Sequence, residues 1–345
     1  MGSDLVPPAY LEGTELSLVV DKANETLPGN VKATVTREIS ATMSTVLEVT
    51  YTDDSSTTTK KAVLKLFDRR FGSSLRKMHA RSESLPEWCI HATRDGEKAF
   101  RSYVQSGKAS KLWHEIDADN EQMETIPLEP EQYYEPTEEG MARYEVALQR
   151  RCRIFFRNET AVYEKLAHVQ GDWIPRMLAH VHLASVPLSE TDEKTEDKAE
   201  DSPFLRVDGV LLEYVSGIPL SELENSPPLP ERGEWGRILQ DVANMTEKIN
   251  LAGVVMKDCR PENVLLRSDT WEPVFLDFGQ TYVGDFDDEE AEFGLSVFQF
   301  NNPMGLLWNL VCSIKEKTGV VIDLNYPDYS SLVEGYPEPE MPVGI

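Results

Sequence analysis

The chain has 345 residues and is strongly acidic, with 34 Lys and Arg residues against 60 Asp and Glu residues and a formal net charge of −26. This charge argues against a nucleic acid or an anionic membrane as a partner, and the length suffices for one two-lobed domain or two small domains. The four cysteines form no C-x-x-C pair, which argues against a disulfide framework or a zinc site. Without a bilayer-spanning apolar stretch or a signal-peptide core, we expect a cytoplasmic protein with no membrane partner.

The N-terminal part of the chain predicts a β-rich unit. A Pro- and Gly-rich lead-in comes first, and its one apolar run allows a short extra strand. Alternating Thr and Val then predict strands at Val31–Arg37 and Thr45–Thr52, with a glycine-free loop at Glu38–Ser44 between them. The next strand, Ala62–Phe67, is apolar except for Lys65. A lysine in such a run either points outward from a half-buried strand or meets an anion.

A helical insertion is predicted from about residue 68 to 140. It contains helical stretches at 87–107 and 107–116, followed by an acidic, Pro-containing loop. A basic patch near its start is either a solvated face or a docking point for an anionic substrate. The patch consists of Arg69, Arg70, Arg76, Lys77 and Arg81. A long amphipathic helix, unbroken or interrupted, follows at 140–170.

Two more strands and a helix follow this insertion. The strands are expected at Met177–Leu183 and Val207–Tyr214. Between them, residues 188–203 are acidic and nearly free of apolar side chains, which predicts a disordered loop. The segment Arg232–Leu251 carries one apolar stripe at helical spacing, so we expect a core-packed helix there.

Two short apolar runs, Val264–Leu266 and Val274–Leu276, have the length of buried strands and predict a hairpin. Asp258 and Asn263 precede the first strand, and Asp277 follows the second directly. Because the two ends of a hairpin meet, we expect these three polar side chains to converge at one mouth.

This stretch resembles the catalytic loop and metal-binding segment of protein kinases and kinase-like small-molecule phosphotransferases, whose pattern is H-R-D-x-x-x-x-N followed by D-F-G. Here the chain has Met256–Asp258, Asn263 at the family spacing and an intact Asp277–Gly279. Likeness to fungal kinase-like and aminoglycoside-phosphotransferase-like proteins extends to Lys65–Phe71 and His168–Gly171. The resemblance implies an α+β, bilobal protein kinase-like fold, with a small β-rich N-lobe and a mainly helical C-lobe.

The resemblance also implies a domain plan. It comprises a lead-in at 1–30, an N-lobe at 31–214 that contains the insertion and the acidic loop, a C-lobe at 215–320 with the catalytic loop and D-F-G, and a Pro-rich tail at 321–345. Within the C-lobe, helices are expected at 289–300 and 303–316, with Trp308 packed on the lobe.

The catalytic roles implied by the resemblance fall on five residues. Asp258 would accept or orient the proton of the attacking hydroxyl, and Arg260 would touch the transferring phosphate. Asn263 and Asp277 would hold Mg²⁺ against the phosphates of ATP. Lys65 would contact the α- and β-phosphates as a catalytic and nucleotide-binding residue.

Three further residues are implied in nucleotide binding. Glu159 is the predicted partner of Lys65, with Glu97 as its rival, and a third possibility is that both glutamates lie at the surface. Glu213 and Val215 would present backbone groups to adenine.

The leading functional hypothesis is an ATP- and Mg²⁺-dependent phosphotransferase acting on a hydroxyl acceptor. A small molecule is favoured over a protein because no A-P-E sequence follows Gly279 and only 66 residues remain after it. One alternative is an inactive pseudokinase that serves as a nucleotide-binding or protein-interaction module. Met256 in place of the family histidine and the missing loop glycines support that alternative. Another is a serine/threonine protein kinase. The acceptor and the oligomeric state stay open.

Overall fold

The computed structural model describes residues 4–25, 27–52, 58–78, 88–122, 129–184, 202–225, 230–284 and 303–327. The chain forms two compact units. The first comprises Met1–Arg157 and Arg176–Tyr214, and the second comprises Asn158–Pro175 and Val215–Ile345. Helices and strands are mixed in both units, in agreement with the expected α+β class.

The first unit is built around a closed barrel of six antiparallel strands. The six barrel strands in chain order are β1 (Glu15–Ala23), β2 (Asn30–Ala41), β3 (Thr45–Thr52), β4 (Thr59–Leu66), β7 (Met177–Leu183) and β8 (Asp208–Glu213). A separate two-stranded sheet of the same unit pairs β5 (Lys77–Met78) with β6 (Trp88–Cys89). The barrel order is β1-β2-β3-β4-β8-β7, and β7 pairs back to β1. Alternate side chains of each strand fill the interior, among them Leu18, Ala33, Leu47 and Leu64.

The barrel strands differ from the sequence expectations at two places. The apolar run of the lead-in forms β1, a nine-residue barrel strand. Strand β2 continues to Ala41, so most of the expected loop between β2 and β3 is strand. The loop predicted at 188–203 lies largely outside the described residues, as does most of the Pro-rich tail.

Three helices follow the fourth strand: α1 (Arg94–Gln105), α2 (Lys108–Gln122) and α3 (Glu138–Lys165). The Thr93 side chain caps α1 by accepting from the Gly96 amide at 3.0 Å. Gly107, with φ +75°, separates α1 from α2 because this backbone conformation ends a helix. Helix α3 runs unbroken for 28 residues, and the boundary between the two units falls inside it.

Three residues of the predicted basic patch, Arg69, Arg70 and Arg76, are buried, which corrects for them the expectation of a solvated face or a docking point. Arg69 and Arg76 are at most 5% exposed. The Arg69 guanidinium donates to Glu97 at 2.9 Å and to Glu145 at 2.7 Å, and Arg76 also donates to Glu145, at 3.1 Å. The patch is therefore an ion-pair network that joins β4 to α1 and α3.

The neighbouring Arg70 is neutralised in the same way by Asp68. Arg70 Nη2 lies 2.6 Å from Asp68 Oδ2, which also accepts from the Tyr10 hydroxyl at 2.5 Å. Burial alone would raise the pKa of Asp68, but the Arg70 charge and these hydrogen bonds lower that pKa to about 2. Of the remaining patch residues, Lys77 is exposed and Arg81 lies outside the described part of the chain.

Among its described residues, the second unit contains the end of α3, two further α-helices and two small sheets. The helices are α4 (Trp235–Leu251) and α5 (Pro303–Thr318), and the strands are β9 (Gly217–Pro219), β10 (Val254–Met256), β11 (Val264–Arg267), β12 (Pro273–Phe275) and β13 (Thr281–Val283). Strand β11 pairs with β12 and β9, and β10 pairs with β13.

The helices of the second unit confirm two sequence predictions and overturn one. The apolar stripe of α4 is buried from Trp235 to Ile249, and α5 occupies the helix expected to begin at Pro303. Trp308, expected to pack on this unit, is 55% exposed because it lies on the face of α5 opposite the buried Leu306 and Leu310. The helix expected at 289–300 lies outside the described residues. No helix in the described part of the chain has the length and apolarity needed to cross a bilayer.

Candidate active site

The predicted hairpin is present and sets the positions of Asn263 and Asp277. Strands β11 and β12 pair antiparallel, with Val264 opposite Phe275. One step beyond this pair, the Leu276 amide donates to the Asn263 carbonyl at 2.8 Å. Asn263 and Asp277 therefore leave the same end of the hairpin, as the sequence predicts.

A second backbone contact fixes the start of the catalytic loop beside the same segment. The Lys257 amide donates to the Gln280 carbonyl at 2.8 Å, where β10 pairs with β13. The loop from Asp258 to Asn263 is thus bonded at both ends to residues flanking Asp277–Gly279. Met256, which replaces the family histidine, is buried in β10 opposite Thr281, where an apolar side chain fits.

Within the loop, side chains bond to one another and orient Asp258. The Asn263 Nδ2 donates to the Asp258 carbonyl at 2.8 Å, and the Arg260 Nε donates to Asp258 Oδ1 at 2.7 Å. Pro261 begins the single 3-10 turn that ends at Asn263, a position where its fixed φ is favourable. Asp258 and Arg260 are thus an ion pair, with the Arg260 side chain 58% exposed and that of Asp258 24% exposed.

Asp277 has an unusual backbone. Its φ of +62° is in the left-handed region, which costs an ordinary residue about 1–2 kcal/mol and is tolerated best by Gly, Asn and Asp. The following Phe278 is fully buried and packs edge-on against Tyr163 of α3, with the ring centroids 5.7 Å apart. Strained backbone at a predicted metal ligand is typical of a functional site.

The two glutamates predicted as partners of Lys65 are both buried but bond to different groups. Glu159 is fully buried, and its Oε2 accepts from the Phe278 amide at 2.9 Å. Glu97 is also buried, and both of its carboxylate oxygens accept from Arg69. The possibility that both are surface glutamates is therefore wrong, and Glu97 serves the buried ion-pair network. The pairing of Glu159 with Lys65 stays a prediction.

Lys65 itself is buried in β4. It is 4% exposed and lies in register with Val46 and Val210 on the neighbouring strands, with Nζ 5.5 Å from the Phe67 ring centroid. An outward lysine on a half-buried strand is therefore excluded. Its contact with the α- and β-phosphates stays a prediction.

The two residues expected to contact adenine, Glu213 and Val215, belong one to each unit. In the first unit, the Glu213 amide donates to the Arg176 carbonyl at 2.8 Å, and its carboxylate accepts from Arg176 Nε at 3.1 Å. Because the amide is engaged, an adenine contact from Glu213 would use its carbonyl. Val215 is half-buried at the start of the second unit, and its role also stays a prediction.

Sequence reasoning missed an anchor on the β2–β3 hairpin. The Ala41 carbonyl accepts from the Ser73 amide at 3.0 Å and from its hydroxyl at 2.7 Å, and the Thr42 carbonyl accepts from the Ser74 amide at 3.1 Å. A Cβ on Gly72 would lie 2.8 Å from the Thr42 carbonyl oxygen, so the close approach requires glycine. The small residues Gly72–Ser74 are the signal that could have indicated this contact.

The oxygen donors in the second unit fit Mg²⁺ shared with a nucleotide. The Asn263 amide nitrogen is used as a donor to Asp258, so its oxygen is the atom left for a cation. Mg²⁺ commonly binds one or two such protein oxygens together with substrate phosphates. Among the described residues there is no group of three or more His, Cys, Asp or Glu side chains that could hold a metal. This donor set suits a cation held jointly with phosphate.

No protein-family model and no curated protein matches the chain. Among solved structures, the chain is similar to the PknI kinase domain of Mycobacterium tuberculosis, with 13% identity, a TM-score of 0.33 and coverage of 79% of this chain and 72% of that chain. A double mutant of the same domain gives 15% identity, a TM-score of 0.33 and coverage of 81% and 76%. A TM-score this low supports no conclusion, so the site rests on the contacts among the chain's own residues.

Proposed function

We propose that this protein is a kinase-like phosphotransferase that uses ATP and Mg²⁺ to phosphorylate a hydroxyl acceptor. The observation that carries the proposal is the loop from Lys257 to Asn263, whose two ends are bonded to Gln280 and Leu276 on either side of Asp277. Two acids and an amide thereby belong to one local structure, in the order that they have in the protein kinase motif.

Each residue has a distinct part in the proposed reaction. Asp258 accepts the proton of the acceptor hydroxyl as that oxygen attacks the γ-phosphorus of ATP. Arg260, paired with Asp258 and mostly exposed, is positioned to offset negative charge on the phosphoryl group. Asn263 and Asp277 would hold Mg²⁺, which neutralises phosphate charge when bound.

A nucleotide-binding module without transfer activity is the second candidate. It is favoured by the hairpin between β2 and β3, which has no glycine and whose tip carbonyls bond to Ser73 and Ser74. In protein kinases a flexible glycine-rich loop covers the phosphates at this place. A serine/threonine protein kinase would share the nucleotide residues of the leading proposal, so only the acceptor separates those two.

The first test combines nucleotide binding and turnover. MgATP at about 100 times its Kd should add about 2.7 kcal/mol to the free energy of unfolding, measured by thermal denaturation. Asp277→Ala should abolish the magnesium-dependent part of this stabilisation. Asp258→Ala should keep it but lower kcat by about 10²–10⁴-fold, because a general base touches the acceptor rather than the metal.

Turnover is measured as ATP consumption with a panel of small hydroxyl metabolites beside generic protein substrates. Asp269→Ala, an exposed aspartate in the β11–β12 turn, is the matched control and should behave as wild type. Magnesium-dependent stabilisation without ATP consumption on any acceptor would favour the binding module. Equal turnover in Asp258→Ala would remove that residue from the mechanism.

A further inference from the structure

The last two turns of α3 contact the metal-binding segment at three backbone positions within the second unit. Glu159 accepts from the Phe278 amide at 2.9 Å, the Asn158 Nδ2 donates to the Gly279 carbonyl at 3.2 Å, and the Lys165 Nζ donates to the Gly284 carbonyl at 2.9 Å. These bonds follow the stretch from Phe278 to Gly284.

Glu159 and Asn158 both hold the segment that follows Asp277. Glu159 bonds the Phe278 amide, in the peptide directly after Asp277, and Asn158 bonds the carbonyl of Gly279, two peptides further on. The left-handed φ of Asp277 is retained only if the segment on each side of it is held, since an aspartate relaxes readily to an ordinary conformation. Before Asp277, the Leu276 amide is bonded to Asn263. After it, the Phe278 amide and the Gly279 carbonyl are bonded to Glu159 and Asn158.

We propose that Asn158 is a positioning residue for the metal-binding carboxylate. Its amide holds the Gly279 carbonyl, and together with the bond from the Phe278 amide to Glu159 this restrains Asp277 in its left-handed conformation. The bond matters at Gly279 because glycine has no side chain to restrict its backbone conformation. This inference rests on the proposed function only for the identity of the cation, since the restraint on the backbone is independent of it.

The test uses Asn158→Asp, which keeps the size of the side chain and removes the donor, with Asn158→Ala as a second variant. In the nucleotide-free protein, amide exchange across residues 276–284 should accelerate about ten-fold as local opening becomes easier. With ATP held constant, the Mg²⁺ concentration that gives half-maximal thermal stabilisation should rise about ten-fold, while stabilisation by ATP in EDTA stays unchanged. A purely structural role would weaken both forms of nucleotide binding alike.

Asn244→Asp is the matched control, since it places the same charge on the exposed face of α4 in the same unit. Unchanged exchange across 276–284 in both Asn158 variants overturns the inference. Wild-type stabilisation by MgATP with an unaltered Mg²⁺ requirement in Asn158→Asp overturns it as well, while leaving the proposed function intact. If MgATP does not stabilise the wild type, the proposed function fails, and faster amide exchange in the Asn158 variants still supports the restraint on the backbone.

Discussion

Cys259 lies in the candidate catalytic loop, directly after Asp258, and its chemistry is decided by that position. Burial, and secondarily the Asp258 carboxylate, raise the pKa of its thiol to about 12. At pH 8 only about one thiol in 10⁴ would then be the reactive thiolate. Cys259 is half-buried, and its thiol beside the proposed base is therefore mostly protonated at pH 8.

We expect iodoacetamide to alkylate Cys259 in the folded protein at pH 8 at least about 100-fold more slowly than a cysteine in a short peptide. Mass spectrometry of the peptide that contains Cys259 measures the rate. Asp258→Asn should raise the rate modestly, because it removes the smaller of the two causes of the high pKa. Modification of Cys259 at the peptide rate would contradict this account of the loop.

The elements that sequence reasoning found are those specified by nearby residues. The hairpin of β11 and β12 follows from two apolar runs close together in sequence, and α4 follows from one apolar stripe. The burial of Arg69 could not be predicted, since its partners Glu97 and Glu145 are 28 and 76 residues away. A basic run has the same local pattern whether water or distant carboxylates neutralise it.

The candidate site likewise combines features that the local sequence predicts with contacts between residues that are far apart in the sequence. The convergence of Asp258, Asn263 and Asp277 at one end of the hairpin could be predicted from spacing, because adjacent strands bring these positions together. The bond from Asn158 to Gly279 spans 121 residues and has no local signal. The same holds for the hairpin tip, whose partner Ser73 is 32 residues from Ala41.

The anchored β2–β3 hairpin gives a prediction at the element scale. In Gly72→Ala the new methyl group would lie 2.8 Å from both the Thr42 carbonyl oxygen and the Leu75 Cβ, so one backbone segment must move. Such overpacking typically costs about 1–3 kcal/mol of the free energy of unfolding. The hydrogen bonds from Ser73 and Ser74 to the tip should weaken at the same time.

Urea denaturation measures the loss of stability, and amide exchange at residues 73–75 measures release of the tip. Gly29→Ala is the matched control, because a Cβ there meets nothing within 4 Å. It should change stability by less than about 0.5 kcal/mol. Equal stability of Gly72→Ala and wild type would mean that the hairpin tip is not held by this close approach.

At the scale of the whole molecule, charge is the dominant unexplained property. In the buried ion-pair network of the first unit the charges cancel, since three arginines pair with three carboxylates. The arginines are Arg69, Arg70 and Arg76, and the carboxylates are Asp68, Glu97 and Glu145. The net charge of −26 therefore resides in carboxylates outside this network. Repulsion among such charges destabilises a compact state and is screened by salt.

We expect the urea midpoint to rise as NaCl increases from about 10 mM to about 300 mM, because the screening length falls from about 30 Å to less than about 8 Å. This is opposite to the salt response of a protein held together by surface ion pairs. Neutralising three exposed acids with Glu12→Gln, Asp269→Asn and Glu316→Gln should raise the midpoint at low salt and reduce its slope with salt. A midpoint that falls with added NaCl would show that attractive pairs outweigh the repulsion, and the acidic excess would then need another explanation.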